Sequence, residues 1–319
     1  MPISPQTRSY SLPGKALLLG EYGLLLGLSG VAVTLPAFRM EISCSLQPTR
    51  EEPLIRIQSS FLEGGQLVLR DSIGGGFFQS FLFPYQDVLT RFRQEGYDLI
   101  LTVAKNFPPD LGMGSSSALL VSVQAFLFSF LCADPPLEAS LFFARLREGI
   151  HRWQGSGSGY DAVLQMAAQE VSHPQMWQYC WRSDTSRPAF SRVSPSPPSE
   201  EPLSYGTILK TGVYAETKAA LQKFAQKGDT SFAQAQGALA HRFLQDPRLD
   251  SLLDLVKEAQ HLQEQQGLLP DIPFLQHLRA AHVPFKSLGA GFGDCVWSPW
   301  PAAALQAFQK NIVTEIFLS

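Results

Sequence analysis

The residues best suited to chemistry in this 319-residue chain stand in glycine-rich stretches that join apolar runs. Phe107-Pro-Pro-Asp-Leu-Gly-Met-Gly-Ser-Ser-Ser-Ala118 links a strand-like run, Tyr97 to Val103, to an apolar segment, Ala118 to Leu131, that lacks Gly and Pro. Gly112 and Gly114 remove Cβ atoms where backbone would approach another group closely, and Ser115, Ser116 and Ser117 open the predicted helix. A helix start offers unpaired N–H groups and the positive end of the peptide dipoles. Gly112, Met113, Gly114 and the three serines therefore form a candidate anion cradle, for which phosphate is the best fit. The plainer alternative is a serine-capped loop with no ligand.

Isolated charges mark two further stretches. Between Tyr10 and Gly27 the only charged residues are Lys15 and Glu21, set in short apolar runs that read as buried strands around a Gly20-Glu21-Tyr22-Gly23 turn. Lys15 reads either as a functional cation or as a side chain snorkelling from a strand end. In Gln154-Gly-Ser-Gly-Ser-Gly-Tyr-Asp161, glycines at 155, 157 and 159 describe backbone that bends or admits a ligand, and Asp161 follows as either a helix cap or a catalytic carboxylate. Near the C-terminus, Lys286-Ser-Leu-Gly-Ala-Gly-Phe-Gly-Asp-Cys295 alternates glycines into a strand, compatible with a bulged hairpin.

The cradle is not a Walker A loop, since no Gly-Lys-Ser/Thr follows, and GxGxxG is absent. Pro108 followed by Gly112-Met113-Gly114-Ser115-Ser116 resembles the second motif of the GHMP kinase family, which includes galactokinases, homoserine kinases, mevalonate kinases and phosphomevalonate kinases. Pro13-Gly14-Lys15 with Gly20-Glu21-Tyr22 resembles the first motif, and Lys286-x-x-Gly289-Ala290-Gly291-x-Gly293 matches every fixed position of the third. Tyr22, Gly157-Ser158-Gly159 before Asp161, and the Asp294-Cys295 ending are most similar to phosphomevalonate kinases. Pro109-Asp110, where many of those enzymes carry a Lys, points instead to mevalonate kinases. Lys210-Thr211-Gly212 resembles a Thr-Gly stretch of the second domain, with Glu216 replacing the usual Ser.

The resemblance implies an α+β chain with the GHMP kinase fold: a ribosomal-protein S5 domain 2-like half over residues 1–190 and a ferredoxin-like half over residues 191–319. It implies ATP and Mg²⁺ as cofactors and 5-phosphomevalonate, or alternatively mevalonate, as acceptor. Lys15 and Asp161 take the catalytic positions. Glu21, Tyr22, Gly157, Ser158, Gly159, Thr211, Gly289, Ala290 and Gly291 fall to the substrate, and Ser116 and Glu148 to the metal. Arg152, Lys210 and Lys218 are candidate cations for a second substrate phosphate. A catalytically silent metabolite or nucleotide sensor on the same fold is the alternative of another class.

Composition agrees with such an enzyme. A net charge of −3 gives no basic field for nucleic acid, and 45% hydrophobic content is enough for two cores. The polar start lacks a signal-peptide core, and no apolar run approaches a membrane span. Four scattered cysteines without a CxxC pair suit a reducing cytoplasm, and the histidines form no HExxH pattern. A monomer or homodimer is expected.

Local patterning supplies the elements that must hold these residues. Val31–Leu46 and Leu54–Leu69 read as antiparallel strands with a hairpin near Gly64-Gly65, and a helix is predicted over Phe78–Glu95. Leu137–Trp153, Phe232–Phe243, Leu249–Gln265 and Ala302–Lys310 read as further helices. Leu203–Leu209 and Ile312–Leu318 read as strands. The Pro- and Ser-rich run Asp184–Pro202 reads as a linker or surface loop.

Overall fold

A computed structural model describes the chain except for residues 1–3, 52–53, 60–64, 70–76, 106, 108–110, 133–135, 195–202, 214–223, 225–229, 289–293 and 319. The chain divides into two compact units. Unit 1 comprises Met1–Gly14, Ala37–Phe107 and Gly114–Glu170, and unit 2 comprises Lys15–Pro36, Pro108–Met113 and Val171–Ser319. Two long strands, β1 (Gln6–Leu19) and β2 (Gly30–Pro48), contribute to both.

In unit 1, Glu41–Pro48 of β2 pairs antiparallel with β5 (Tyr97–Lys105). The alternation at Arg39-Met-Glu-Ile-Ser-Cys turns Met40, Ile42 and Cys44 inward and leaves Glu41 exposed. β3 (Ile55–Ser59) and β4 (Gln66–Leu69) form the expected antiparallel hairpin, but β3 also runs parallel to β5, a pairing that alternation alone does not encode. The helix expected over Phe78–Glu95 is three pieces: α1 (Phe77–Leu82), a 3-10 turn over Phe83–Tyr85, and α2 (Gln86–Gln94). Pro84 causes the break, because it brings no backbone N–H to a continuous ladder.

The core of unit 1 is α3 (Ser115–Phe128), in which every residue from Ala118 to Phe128 is buried. A helix apolar on all sides has no solvent face to offer, so its two buried polar side chains must be satisfied internally. Ser122 Oγ donates to Ala118 O at 2.8 Å and Gln124 Nε2 donates to Phe81 O at 3.0 Å. α4 (Ser140–Gln154) and α5 (Tyr160–Ala167) complete the helices of this unit.

In unit 2, Gly30–Val33 of β2 pairs with β6 (Met176–Cys180), and β6 with β7 (Ala189–Val193). β7 corrects the reading of Asp184–Pro202 as linker throughout: edge pairing tolerates its polar residues. The second apolar run of the N-terminal stretch is a 3-10 helix, Gly23–Leu26, rather than a strand, because Gly20 and Tyr22 both take left-handed backbone and curl the chain there.

The rest of unit 2 reads β8 (Leu203–Lys210), α6 (Thr230–Gln245), α7 (Leu249–Gln265), α8 (Pro273–Ala280), β9 (Lys286–Ser287), β10 (Cys295–Ser298), a 3-10 segment over Ala302–Asn311 and β11 (Ile312–Leu318). Its strands form one antiparallel sheet in the order β11-β8-β10-β9. With helices in the first and last connections, this is the β-α-β-β-α-β ferredoxin-like arrangement. The last helix is 3-10 rather than α because Leu305 and Phe308, three apart, leave helical geometry. On α7 the buried face is Leu252, Leu255, Val256, Ala259 and Gln263. Among the described residues, no helix is long and apolar enough to cross a membrane.

Candidate active site

Leu111 and Met113 are buried and pin the loop, while Gly112 between them is exposed with φ +61°. A Cβ on Gly112 would lie 2.9 Å from Asp294 Oδ2, so glycine is required both by conformation and by space. Lys15 fixes the loop from the opposite end of the sequence: its backbone N–H donates to Met113 O at 3.3 Å, and Nζ reaches Gly112 O at 3.3 Å. The Lys15 side chain is buried to 6% exposure, which removes the snorkelling alternative.

Gly114, at φ +89°, takes the cap position of α3 and brings no side chain to it. The first intrahelical bond runs from Ala118 N to Gly114 O at 2.9 Å, so the amides of Ser115, Ser116 and Ser117 make up the donor-rich first turn. The three serines differ. Ser116 is exposed, whereas Ser117 turns inward, its hydroxyl directed to Gly114 O at 2.9 Å and Gln165 Oε1 at 3.0 Å. Ser117 can therefore offer an anion its backbone N–H, with its hydroxyl committed to the loop.

Asp161 is the second residue of α5, and Gly159 holds the cap position with no side-chain cap bond. Asp161 is thus a first-turn carboxylate rather than the helix cap, half-buried with Oδ1 inside. The preceding loop needs its glycines: a Cβ on Gly157 would stand 2.5 Å from Ile150 Cγ2. Ser158 and Gly159 are half-buried.

Glu21 and Tyr22 lie inside unit 2. Glu21, 2% exposed, pairs with Lys286 Nζ, which also donates to Ser287 O at 2.7 Å and Leu17 O at 3.3 Å. Burial raises the Glu21 carboxyl above its usual range and lowers Lys286, with their mutual attraction opposing both shifts. The ring of Tyr22 sits 4.4 Å from that of Phe224 and 5.5 Å from that of Phe232, and burial raises its phenol as well. Sequence reasoning missed the partner of Glu21 because it lies 265 residues away.

Thr211 ties β8 to the start of β10: its N–H and hydroxyl both donate to Asp294 O at 2.9 Å. Asp294 itself sits at φ +47°, where few non-glycine residues go, and this double bond holds it there. On the other side, Gln263 grips edge strand β9, accepting from Ser287 N at 2.9 Å and donating to Ser287 O at 3.4 Å. Gly289, Ala290, Gly291 and Lys218 lie outside the described residues. Glu148 accepts from Arg152 Nε at 3.0 Å, and that guanidinium also lies over Phe83 at 3.2 Å. Among the described residues, no group of three or more His, Cys, Asp or Glu could hold a metal ion.

Solved structures align with the chain from end to end. The chain has the GHMP kinase fold. Phosphomevalonate kinase of Streptococcus pneumoniae, solved with phosphomevalonate and AMPPNP, matches over 98% of this chain and all of its own, at TM-score 0.66 and 17% identity. The mevalonate kinase of Methanococcus jannaschii matches over 98% and 99%, at TM-score 0.64 and 14% identity. Galactokinase of Lactococcus lactis, solved with galactose, matches over 96% and 88%, at 0.61 and 13%. No family sequence profile matches the chain, and no curated protein is similar to it in sequence.

Proposed function

We propose that the chain is an ATP-dependent small-molecule kinase that phosphorylates 5-phosphomevalonate to 5-diphosphomevalonate. The observation that carries the kinase reading is the start of α3: a glycine cap without a side chain followed by three consecutive amides, which suit the phosphates of a nucleotide. The phosphomevalonate choice is supported by Tyr22, by Gly157-Ser158-Gly159 before Asp161, and by Asp294-Cys295. In this reading residues 1–190 carry the nucleotide loop and Asp161, and residues 191–319 are the ferredoxin-like half that includes Thr211.

Phosphoryl transfer asks the protein chiefly for alignment and charge stabilisation. Asp161 orients the acceptor oxygen, or takes its proton where the oxygen carries one, as that oxygen attacks the γ-phosphorus, while the bond from phosphorus to the β-bridging oxygen breaks and ADP leaves. Lys15 stabilises the attacking oxygen and the transferring phosphoryl, and the Ser115–Ser117 amides hold the phosphates that remain. Bound Mg²⁺ would supply charge neutralisation across the phosphates. The exposed Ser116 hydroxyl, with no metal-holding group of three or more His, Cys, Asp or Glu among the described residues, fits an ion that arrives on the nucleotide and would keep several waters. Glu148 would join it only after releasing Arg152.

Mevalonate as acceptor is the second reading. It is favoured by Pro109-Asp110 and by Arg152, which already serves Glu148 and Phe83 and so is less available to a second phosphate. For the kinase reading itself, Asp161→Asn is the test. It should leave ATP affinity within about twofold and lower turnover by about two to four orders of magnitude. Unchanged turnover would remove Asp161 from the mechanism.

A further inference from the structure

Gln165 lies one helical turn beyond Asp161 on α5, so the two side chains share a face of that helix. It is fully buried, and a buried primary amide must satisfy two N–H donors and a carbonyl. Here all three are used. Nε2 donates to Pro13 O at 3.0 Å and to Gly114 O at 3.2 Å, and Oε1 accepts from Ser117 Oγ at 3.0 Å. One side chain thus ties the helix bearing Asp161 to the residue two before Lys15 and to the cap of the phosphate-loop helix.

The contact at Gly114 carries the consequence. Its carbonyl accepts from Ala118 N at 2.9 Å and Gln165 Nε2 at 3.2 Å, and shares the single Ser117 hydroxyl proton, whose oxygen lies 2.9 Å away, with Gln165 Oε1. The peptide unit between Gly114 and Ser115 is planar and trans, so fixing its oxygen fixes the direction of the Ser115 N–H on the other side. That N–H is the first donor of the α3 anion site. An apolar residue of the same volume would fill the space and leave that oxygen held only by the Ala118 N–H and the Ser117 hydroxyl, with one restraint fewer on the peptide's orientation.

We propose that Gln165 is a positioning residue for phosphoryl transfer, aiming the Ser115 amide at the nucleotide while holding the Asp161 helix to the same peptide. The inference rests on the kinase reading and adds to it a residue outside all the glycine motifs.

The test uses the full chain and a non-hydrolysable ATP analogue, with titration calorimetry for affinity, ADP release for turnover and chemical denaturation for stability. Gln165→Met keeps the volume and removes every bond. It should weaken the analogue about ten- to a hundredfold, the share of one well-aimed hydrogen bond to a charged group, and lower kcat further. Gln165→Glu loses both donors when ionised and regains one when protonated, so its affinity deficit against the wild type should shrink as pH falls. Ser117→Ala, which buries no new charge, should give a smaller loss in the same direction and decides the matter if both Gln165 variants fail to fold. Variants that bind the analogue like the wild type while losing only stability would overturn the inference and leave the kinase reading standing. A wild-type protein that binds no analogue would overturn both.

Discussion

Lys286→Met removes one member of an ion pair that water does not reach, since the side chains of Lys286 and Glu21 are 0% and 1% exposed. The ammonium has three acceptors, Glu21, Leu17 O and Ser287 O, and the substitution strands the carboxylate among apolar groups. Breaking one side of such a pair costs about 3–5 kcal/mol, whereas replacing both sides with apolar groups is often nearly neutral. Against a total stability on the order of 5–15 kcal/mol, the single variant should move the urea midpoint far below the wild type. The double variant Glu21→Met with Lys286→Met should recover most of the loss. The pH dependence has a definite sign. With Lys286 gone, its attraction and its hydrogen bond, the main influences lowering the Glu21 carboxyl, are gone while the burial that raises it remains. A group whose folded pKa is raised stabilises below its unfolded value, near 4.3, and loses that contribution as pH rises through the folded value. The deficit of Lys286→Met should therefore widen from about pH 5 upward. A wild-type midpoint for the single variant, or a double variant that costs the sum of the two singles, would refute the reasoning.

Two further outcomes follow from the geometry. Gly112→Ala places a Cβ in left-handed backbone 2.9 Å from Asp294 Oδ2 and should cost about 1–2 kcal/mol of stability and about tenfold in nucleotide affinity, read by denaturation and calorimetry; wild-type affinity would show that the loop tolerates a side chain there. Asp87, held below the usual carboxylate range chiefly by its paired bonds to Arg145 at 2.9 and 3.0 Å, contributes stability above its unfolded pKa and loses it as pH falls through the folded value. Asp87→Asn should flatten stability below about pH 4, by only about 0.5 kcal/mol because the group is half-exposed, and an unchanged acid limb would contradict the assignment.

Local signals were legible where the cause was local. The gap-free apolar run after the serines foretold the buried helix α3, and the glycines at 112 and 114 foretold backbone that only glycine suits. Leu203–Leu209 and Ile312–Leu318 read as strands and do pair in one sheet, whereas the ferredoxin-like arrangement of that sheet was implied only by the family resemblance. What could not be read depended on partners remote in sequence. Nothing near Glu21 announces Lys286, and a Gln in Ala162-Val-Leu-Gln-Met-Ala167 reads like any polar residue of a helix, although its three bonds reach Pro13, Gly114 and Ser117. The parallel pairing of β3 with β5 was hidden for the same reason, because alternation reports which face is buried and not which neighbour lies alongside. Competition between neighbouring signals hid the rest: Pro84 overrode a helical period, and edge strand β7 hid within a Pro- and Ser-rich run.

The proposed reaction is transfer of the ATP γ-phosphoryl to an isoprenoid-precursor alcohol or phosphate. A coupled ADP-release assay with Mg-ATP, offering 5-phosphomevalonate and mevalonate in parallel with galactose and homoserine as controls, tests it most directly. Turnover is expected on 5-phosphomevalonate and not on the controls. Turnover on mevalonate alone would shift the acceptor to the second reading, and silence on every acceptor from a protein that still binds ATP would contradict the claim and leave a nucleotide sensor.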